Sequence, residues 1–490
     1  MIGDTDVVIE LGRGTLTCEQ IGLIARRHEP VRLAAGIDAK LTAGHVAVLA
    51  LAAAGPVYGR STGVGALVDQ ALGQPAAPGL QPAGARSETG SADPLLHSHA
   101  TTAGAPLPPD QVRAMTAVRI EQVAAGRSGL GPATATALMD ALNADRTPTV
   151  GRFHSLGTGD VAPLARLGVG LPPGALEQGD ALALMSSDAL SIGRAALSVI
   201  DLDTVLSAAT VVTALTFLAR DGSPGALHPL AAGPFAGPRW VAAELRRLGA
   251  GSRPPACRTS TDCRRPRRPL GSPSTPAPPC AASSPHWPLP GWRTRWCSPD
   301  HPRTAGLHWD ANRMQGDMDQ PPEGPVATAV VTTVDAAPEP RLFLAGGPPA
   351  SSGIMVLEYT AGAALGAVRA AAVPAAGQTV EASRGVEQDS TYAPLAADQL
   401  AEAIAATGVL VAVELVAAVR ALRIRRVVPP AALDAVWQTC ATLPGATKDR
   451  DLSEDVRLAE QLLDVIAPFA TRTGHDGDHL NQPHQPAEGP

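Results

Sequence analysis

His154-Ser155-Leu156-Gly157-Thr158-Gly159-Asp160-Val161-Ala162-Pro163-Leu164-Ala165 decides the reading of this chain. Two glycines flank a hydroxyl residue and an aspartate follows, in a context otherwise rich in helix formers. Glycine lets a backbone turn back on itself, so Gly157-Thr158-Gly159 reads as a tight turn. An ordinary hydroxyl-stabilised turn remains the alternative.

Outward from this loop the pattern is helical. Thr42–Ala54 reads as a helix stopped by Gly55-Pro56, and Pro108–Asn143 reads as one long helix opened by Pro108-Pro109-Asp110. Leu182–Leu215, Ala361–Ala372, Leu395–Ile424 and Ala431–Thr442 follow, and Val7-Val8-Ile9 reads as a strand before a short helix. Alanine and leucine dominate and only three Tyr and five Phe occur, so the expected class is mainly α.

The 490 residues suffice for two to four domains, and the net charge of -7 speaks against nucleic acid as partner. No basic segment precedes an apolar stretch at the start, and the uncharged run Thr204–Ala219 is short for a membrane span. A buried helix, no membrane and a cytoplasmic location are therefore expected. Six Cys in this length make no disulfide framework. His475, His479 and His484 lie in a polar tail that reads as disordered, and no metal site is expected there.

One segment breaks the pattern. Residues 251–300 hold twelve Pro, eight Arg, four Cys and three Trp, with no Val, Ile, Phe, Tyr or Met. Such a composition cannot build a helix or bury much apolar surface. A disordered linker is one reading, but linkers seldom carry so much Cys and Trp. Translation in a shifted frame is the other. Cys257-Arg258-Thr259-Ser260-Thr261-Asp262-Cys263 can be encoded TGC AGG ACG TCT ACG GAC TGC, which read two bases later gives Gln-Asp-Val-Tyr-Gly-Leu. A third reading, an Arg-rich nucleic-acid-binding insert at 253–268, is disfavoured by the acidic chain.

The Gly157-Thr158-Gly159-Asp160 loop resembles the prosthetic-group segment of the aromatic amino acid ammonia-lyases, the histidine and phenylalanine ammonia-lyase family. There an Ala-Ser-Gly tripeptide cyclises with loss of two waters to a methylidene-imidazolone electrophile. The resemblance extends to Tyr58-Gly59 with Thr62-Gly63 and Gly65, which match that family's Tyr-Gly-x-x-Thr-Gly-x-Gly loop. It also covers Ser98-His99 with Gly104-Ala105-Pro106-Leu107-Pro108, and the frame-shifted Gln-Asp-Val-Tyr-Gly-Leu is similar to a further family segment.

The resemblance implies that Tyr58 is the base at the substrate β-carbon, which calls for a buried setting that lowers a phenol from about 10. It implies that Ser98 and His99 line the side-chain pocket, and that Ser186 stands where the family holds its prosthetic group with an asparagine amide. Gln388, in Glu387-Gln388-Asp389, falls at a phenylalanine-type position while His99 is of histidine type, so the substrate stays open. The family's carboxylate-binding Arg falls in the scrambled segment and is lost. The helices around Ser352-Gly353-Ile354-Met355 and Glu358-Tyr359-Thr360-Ala361 are expected in a bundle core.

The implied protein is a homotetrameric ammonia-lyase acting on a small-molecule amino acid, with no external cofactor. Its electrophile would form from Gly157-Thr158-Gly159. An N-terminal prosthetic-group domain over 1–200 would precede a long helical bundle over 201–465, interrupted at 251–310 and followed by a disordered tail at 466–490. The alternative is a non-catalytic or defective homologue keeping only the helical scaffold, and lyase or aminomutase chemistry are both open.

Overall fold

A computed structural model describes residues 8–14, 16–70, 93–177, 179–220, 222, 227–229, 236–251, 342–387 and 390–470. The Pro/Arg-rich stretch, the histidine-bearing tail and Gln388 lie outside the described residues.

The chain is mainly α, as its composition requires. Strand β1 (Ile9–Leu11) is followed by α1 (Cys18–Arg26), β2 (Val31–Leu33), α2 (Ile37–Ala54), α3 (Pro94–His99), β3 (Ala103–Pro106), α4 (Pro109–Ala124) and α5 (Pro132–Asn143). Then come β4 (Gly151–Phe153), α6 (Val161–Val169), α7 (Ala181–Met185), α8 (Ala189–Ala219) and α9 (Ala236–Leu248). The C-terminal part contains α10 (Val356–Ala371), α11 (Ala393–Arg425), α12 (Asp434–Cys440) and α13 (Ser453–Ile466). β1 pairs parallel to β2 with Ile9 opposite Val31, and β3 pairs antiparallel to β4 with Ala103 opposite Phe153.

Two expected helices are each broken in two. Pro108–Asn143 divides into α4 and α5, because Gly126 and Gly129 adopt positive φ and Pro132 then restarts the helix. Leu182–Leu215 divides into α7 and α8 at Ser186-Ser187-Asp188. There Arg119, buried on α4, donates from Nε to the Leu184 carbonyl at 3.0 Å and from Nη2 to that of Ala183, ending α7. The Ser187 hydroxyl accepts from Ala189 N–H at 3.0 Å and so starts α8.

The described residues group into two compact units. Those of Met1–Asp201 and Val368–Ile404 form one; those of Leu202–Trp292, Pro322–Ala367 and Ala405–Pro490 form the other. The first unit has a core of fully buried Met115, Ile120, Leu138, Leu142, Leu164 and Leu167 among its neighbours. Each such side chain contributes about 1.5–3 kcal/mol relative to exposure. In the second unit, Arg423 donates to the carbonyls of Ala441 and Leu443, both at 2.8 Å, and of Pro444 at 3.0 Å, pinning the turn after α12 to α11. Of the segments expected in a bundle core, Ile354, Leu357 and Ala361 are buried, but Tyr359 is 70% exposed.

Three helical stretches, Ile37–Ala54, Ala181–Ala219 and Ala393–Arg425, are long and apolar enough to cross a membrane by length and composition alone. Thr204–Ala219 is thus part of a longer apolar stretch than its uncharged core suggests.

Candidate active site

Strand β4 delivers the chain to the Gly157-Thr158-Gly159 loop, and α6 carries it away. Gly157 has φ +98° and Gly159 φ +137°, conformations that side-chain-bearing residues rarely adopt. Gly157 and Gly159 are buried, whereas the Thr158 side chain between them is exposed. The loop's downstream end is fixed by Asp160, fully buried. Its carboxylate accepts from Ser191 N–H at 2.8 Å, from Ser191 Oγ at 3.1 Å and from Ser155 Oγ at 3.2 Å. Burial, and next the charge of Asp188, push Asp160 up to about 6 despite those hydrogen bonds.

Opposite the loop lie residues 382–387 and 390–392. Thr391 Oγ1 donates to the Gly157 carbonyl at 2.8 Å, and Tyr392 N–H donates to the Leu156 carbonyl at 2.8 Å. Thr158 Oγ1 reaches Glu387 Oε2 at 3.5 Å. A Cβ placed on Gly157 would overlap Thr391 Oγ1 and come 2.8 Å from the backbone nitrogens of both Tyr392 and Ala393. Gly157 is therefore the residue that this packing requires.

The first of these stretches also holds the Tyr58 loop. Ser383 Oγ accepts from Ala66 N–H at 2.9 Å, and Tyr58 Oη accepts from Gly65 N–H at 2.7 Å. Gly59 lies against Leu182 so closely that a Cβ there would overlap that side chain. Arg60 pairs with buried Asp180 at 2.8 Å, anchoring the loop to the start of α7. Tyr58 itself is 50% exposed, which corrects the expectation of a buried phenol: in the single chain its ring rests on a loop rather than in a core.

The other expected residues are dispersed. Ser98 is exposed and His99 half-buried at the end of α3; Ser98 Oγ lies 2.9 Å from His99 Nδ1, and both contact the Leu95 carbonyl at 3.0 Å. α3 packs on α6 and α7. Ser186 is exposed where α7 ends, with its N–H on the Leu182 carbonyl at 2.8 Å. His154, just upstream of the loop, has both ring nitrogens buried without a partner, and burial, then Arg194, lowers it to about 4, so the imidazole is neutral.

Sequence reasoning brought Tyr58 and Gly157–Gly159 forward, with Asp160 as part of the motif but without a role, and missed Thr391, Ser383 and the Arg60–Asp180 pair. The missed residues are recognisable only through contacts between distant segments. Among the described residues no group of three or more His, Cys, Asp or Glu side chains could hold a metal ion.

The aromatic amino acid lyase family profile matches residues 16–171, 168–267 and 334–442, more than half of the chain. The chain belongs to the aromatic amino acid lyase family. Several curated relatives are similar to it over nearly its full length. It is 28% identical over 505 aligned positions to the histidine ammonia-lyase of Streptomyces coelicolor, covering 92% of this chain and 96% of that protein.

The aromatic amino acid lyase chain also shares its fold with solved structures. A tyrosine aminomutase from Streptomyces globisporus superposes with TM-score 0.74 at 20% identity, covering 94% of this chain and 98% of that one. The histidine ammonia-lyase from Trypanosoma cruzi superposes with TM-score 0.69 at 16% identity, covering 95% and 96% respectively.

Proposed function

We propose that this chain eliminates ammonia from an aromatic or imidazole α-amino acid to give the α,β-unsaturated acid. The electrophile would be a methylidene-imidazolone-type group formed from Gly157-Thr158-Gly159, with no external cofactor. The observation that carries the reading is the loop itself: two glycines at positive φ, a Gly157 carbonyl held by a donor, and an exposed Thr158 side chain within reach of a carboxylate. These residues fit the group. Flanking glycines permit a tight backbone ring, and exposure of Thr158 leaves room for the methyl group that threonine, unlike serine, would place on the reacting carbon.

When formed, the group would supply an electrophile for the substrate. The remaining work falls to side chains. Tyr58 would take the proton from the substrate β-carbon, with its phenol oxygen oriented by the Gly65 N–H. Ser98 and His99 would face the substrate side chain, Ser186 would support the loop from the end of α7, and Gln388 is assigned to substrate binding by the resemblance alone. The relatives named as histidine ammonia-lyases support an imidazole substrate, and the aminomutase neighbour keeps amino-group migration open as a second outcome of the same chemistry. A homotetramer in the cytoplasm, working on a free amino acid and not on nucleic acid or a membrane, completes the proposal.

A scaffold without catalysis is the second reading, favoured by Thr158 in place of serine and by Ser186 in place of an amide. Intact mass separates the two, because ring formation removes two waters. Absorbance of urocanate or cinnamate on addition of histidine or phenylalanine then measures turnover. Thr158→Ser is expected to raise that rate by removing the methyl group. A wild-type chain that keeps its full encoded mass refutes the catalytic reading.

A further inference from the structure

The Thr391 hydroxyl bridges the loop and the start of α11. Its oxygen accepts from Ala393 N–H at 3.3 Å, at the first residue of α11, and it donates to the Gly157 carbonyl at 2.8 Å. The next residue's N–H reaches the preceding carbonyl, Leu156, at 2.8 Å. Consecutive carbonyls of the loop are thus held by consecutive residues at the start of a 33-residue helix, whose positive end favours negative charge. The hydroxyl also occupies the space that a methyl group on residue 157 would need. Glycine at 157 and threonine at 391 are complementary.

We propose that Thr391 is the donor that activates the Gly157 carbonyl for ring closure, a role in forming the electrophile that rests on the function proposed above. In that closure the Gly159 nitrogen attacks the Gly157 carbonyl carbon. The carbonyl oxygen gathers negative charge as the C–N bond forms, takes up one proton from the attacking Gly159 nitrogen and one from the Thr158 N–H, and leaves as water as a C=N double bond forms between the Gly157 carbon and the Thr158 nitrogen. The second water comes from Thr158, which loses its Cα hydrogen and its Cβ hydroxyl as the carbon–carbon double bond forms. No oxidant or other reactant is required. A hydrogen-bond donor aimed at an oxygen where charge develops stabilises the transition state more than the ground state. Thr391 meets that requirement, since its hydroxyl already donates to the Gly157 carbonyl at 2.8 Å.

The test follows the intact mass of the full-length chain over time after synthesis, in wild type, Thr391→Ser, Thr391→Cys and Thr391→Val, with thermal unfolding recorded for each. Wild type and Thr391→Ser are expected to lose the mass of two waters at similar rates. Thr391→Cys, a weak donor, is expected to mature more slowly, and Thr391→Val about a hundredfold more slowly, as for removal of one oxyanion donor. Maturation of a folded Thr391→Val chain at the wild-type rate overturns the role of Thr391 while leaving the proposed function standing. If the valine variant does not fold, equal rates for the serine and cysteine variants overturn it instead. A wild type that never loses water overturns both the function and this role.

Discussion

Replacing Gly157 with alanine would restore the first residue of the family's Ala-Ser-Gly tripeptide, yet in this chain it is expected to do harm. Residue 157 has φ +98°, outside the regions open to L-residues, and an alanine held there costs about 1–3 kcal/mol. Its methyl group would overlap Thr391 Oγ1 and approach two backbone nitrogens to 2.8 Å. The hydroxyl can rotate away, but the backbone nitrogens belong to a segment hydrogen-bonded to Leu156 and cannot. Forcing a methyl group into a filled site costs a further ~1–3 kcal/mol. Together these amount to roughly 2–6 kcal/mol, a sizeable share of a total stability of about 5–15 kcal/mol. At ~2–4 °C per kcal/mol the melting temperature should fall by roughly 4–24 °C. The assay is thermal unfolding of Gly157→Ala, Thr391→Ala and the double variant. The double variant should recover part of the loss, because one overlap is relieved and the contacts with backbone nitrogen remain. A Gly157→Ala chain that melts with wild type would refute the packing argument, and with it the complementarity of residues 157 and 391.

Tyr58→Phe should abolish turnover in the absorbance assay while leaving the melting curve almost unmoved, since the ring is half exposed and only the phenol oxygen is lost; turnover at the wild-type rate would remove Tyr58 from the proposed role of base. Glu414 is buried among the residues of α11, with one carboxylate oxygen accepting from Thr216 Oγ1 at 2.8 Å and the other unpartnered. Burial raises it from 4.5 to about 8, only partly opposed by the Thr216 hydrogen bond. The folded chain therefore keeps a proton that the unfolded chain releases, so stability should fall as pH rises from 4.5 to about 8 and level off above that. The loss should be of the order of a few kcal/mol. Glu414→Gln, carrying a neutral group of the same shape, should remove that component; an unchanged pH dependence of chemical denaturation would show that the carboxyl is not held neutral.

Periodicity and Pro/Gly punctuation located helices where the apolar pattern was long, as in α2, whose end at Gly55 was legible. They failed at α4 and α5, where alanine-rich sequence on both sides concealed a break that Gly126 and Gly129 impose. They also passed over α13, whose amphipathic turns lie next to the polar tail. The site was half legible. Gly157–Gly159 and Tyr58 stand in short glycine-marked motifs, which local sequence can carry. Thr391 and Glu387 meet the loop across 234 and 229 residues, and Ser383 meets Ala66 across 317. No local propensity encodes such pairings, because they arise from how α11 and its leading segment pack.

Those separations give the loop a second meaning, as a recorder of folding history. Gly157 and Thr158 leave the ribosome long before residue 391, so their environment is incomplete until late in synthesis. Contacts of such sequence separation form slowly, since the chain ends of a large loop must first be brought together. The loss of two waters would then occur only in molecules that had completed this docking, and it could not be undone by later unfolding. The mass of an individual chain would thus register whether it had once been correctly folded. The entropy of closing a long loop rises by only about 0.6 kcal/mol for each doubling of its length. Lengthening the chain between Thr158 and Thr391 would therefore add little to the closure cost, and a mature mass in such a variant would reveal that docking had occurred even after the fold itself was lost.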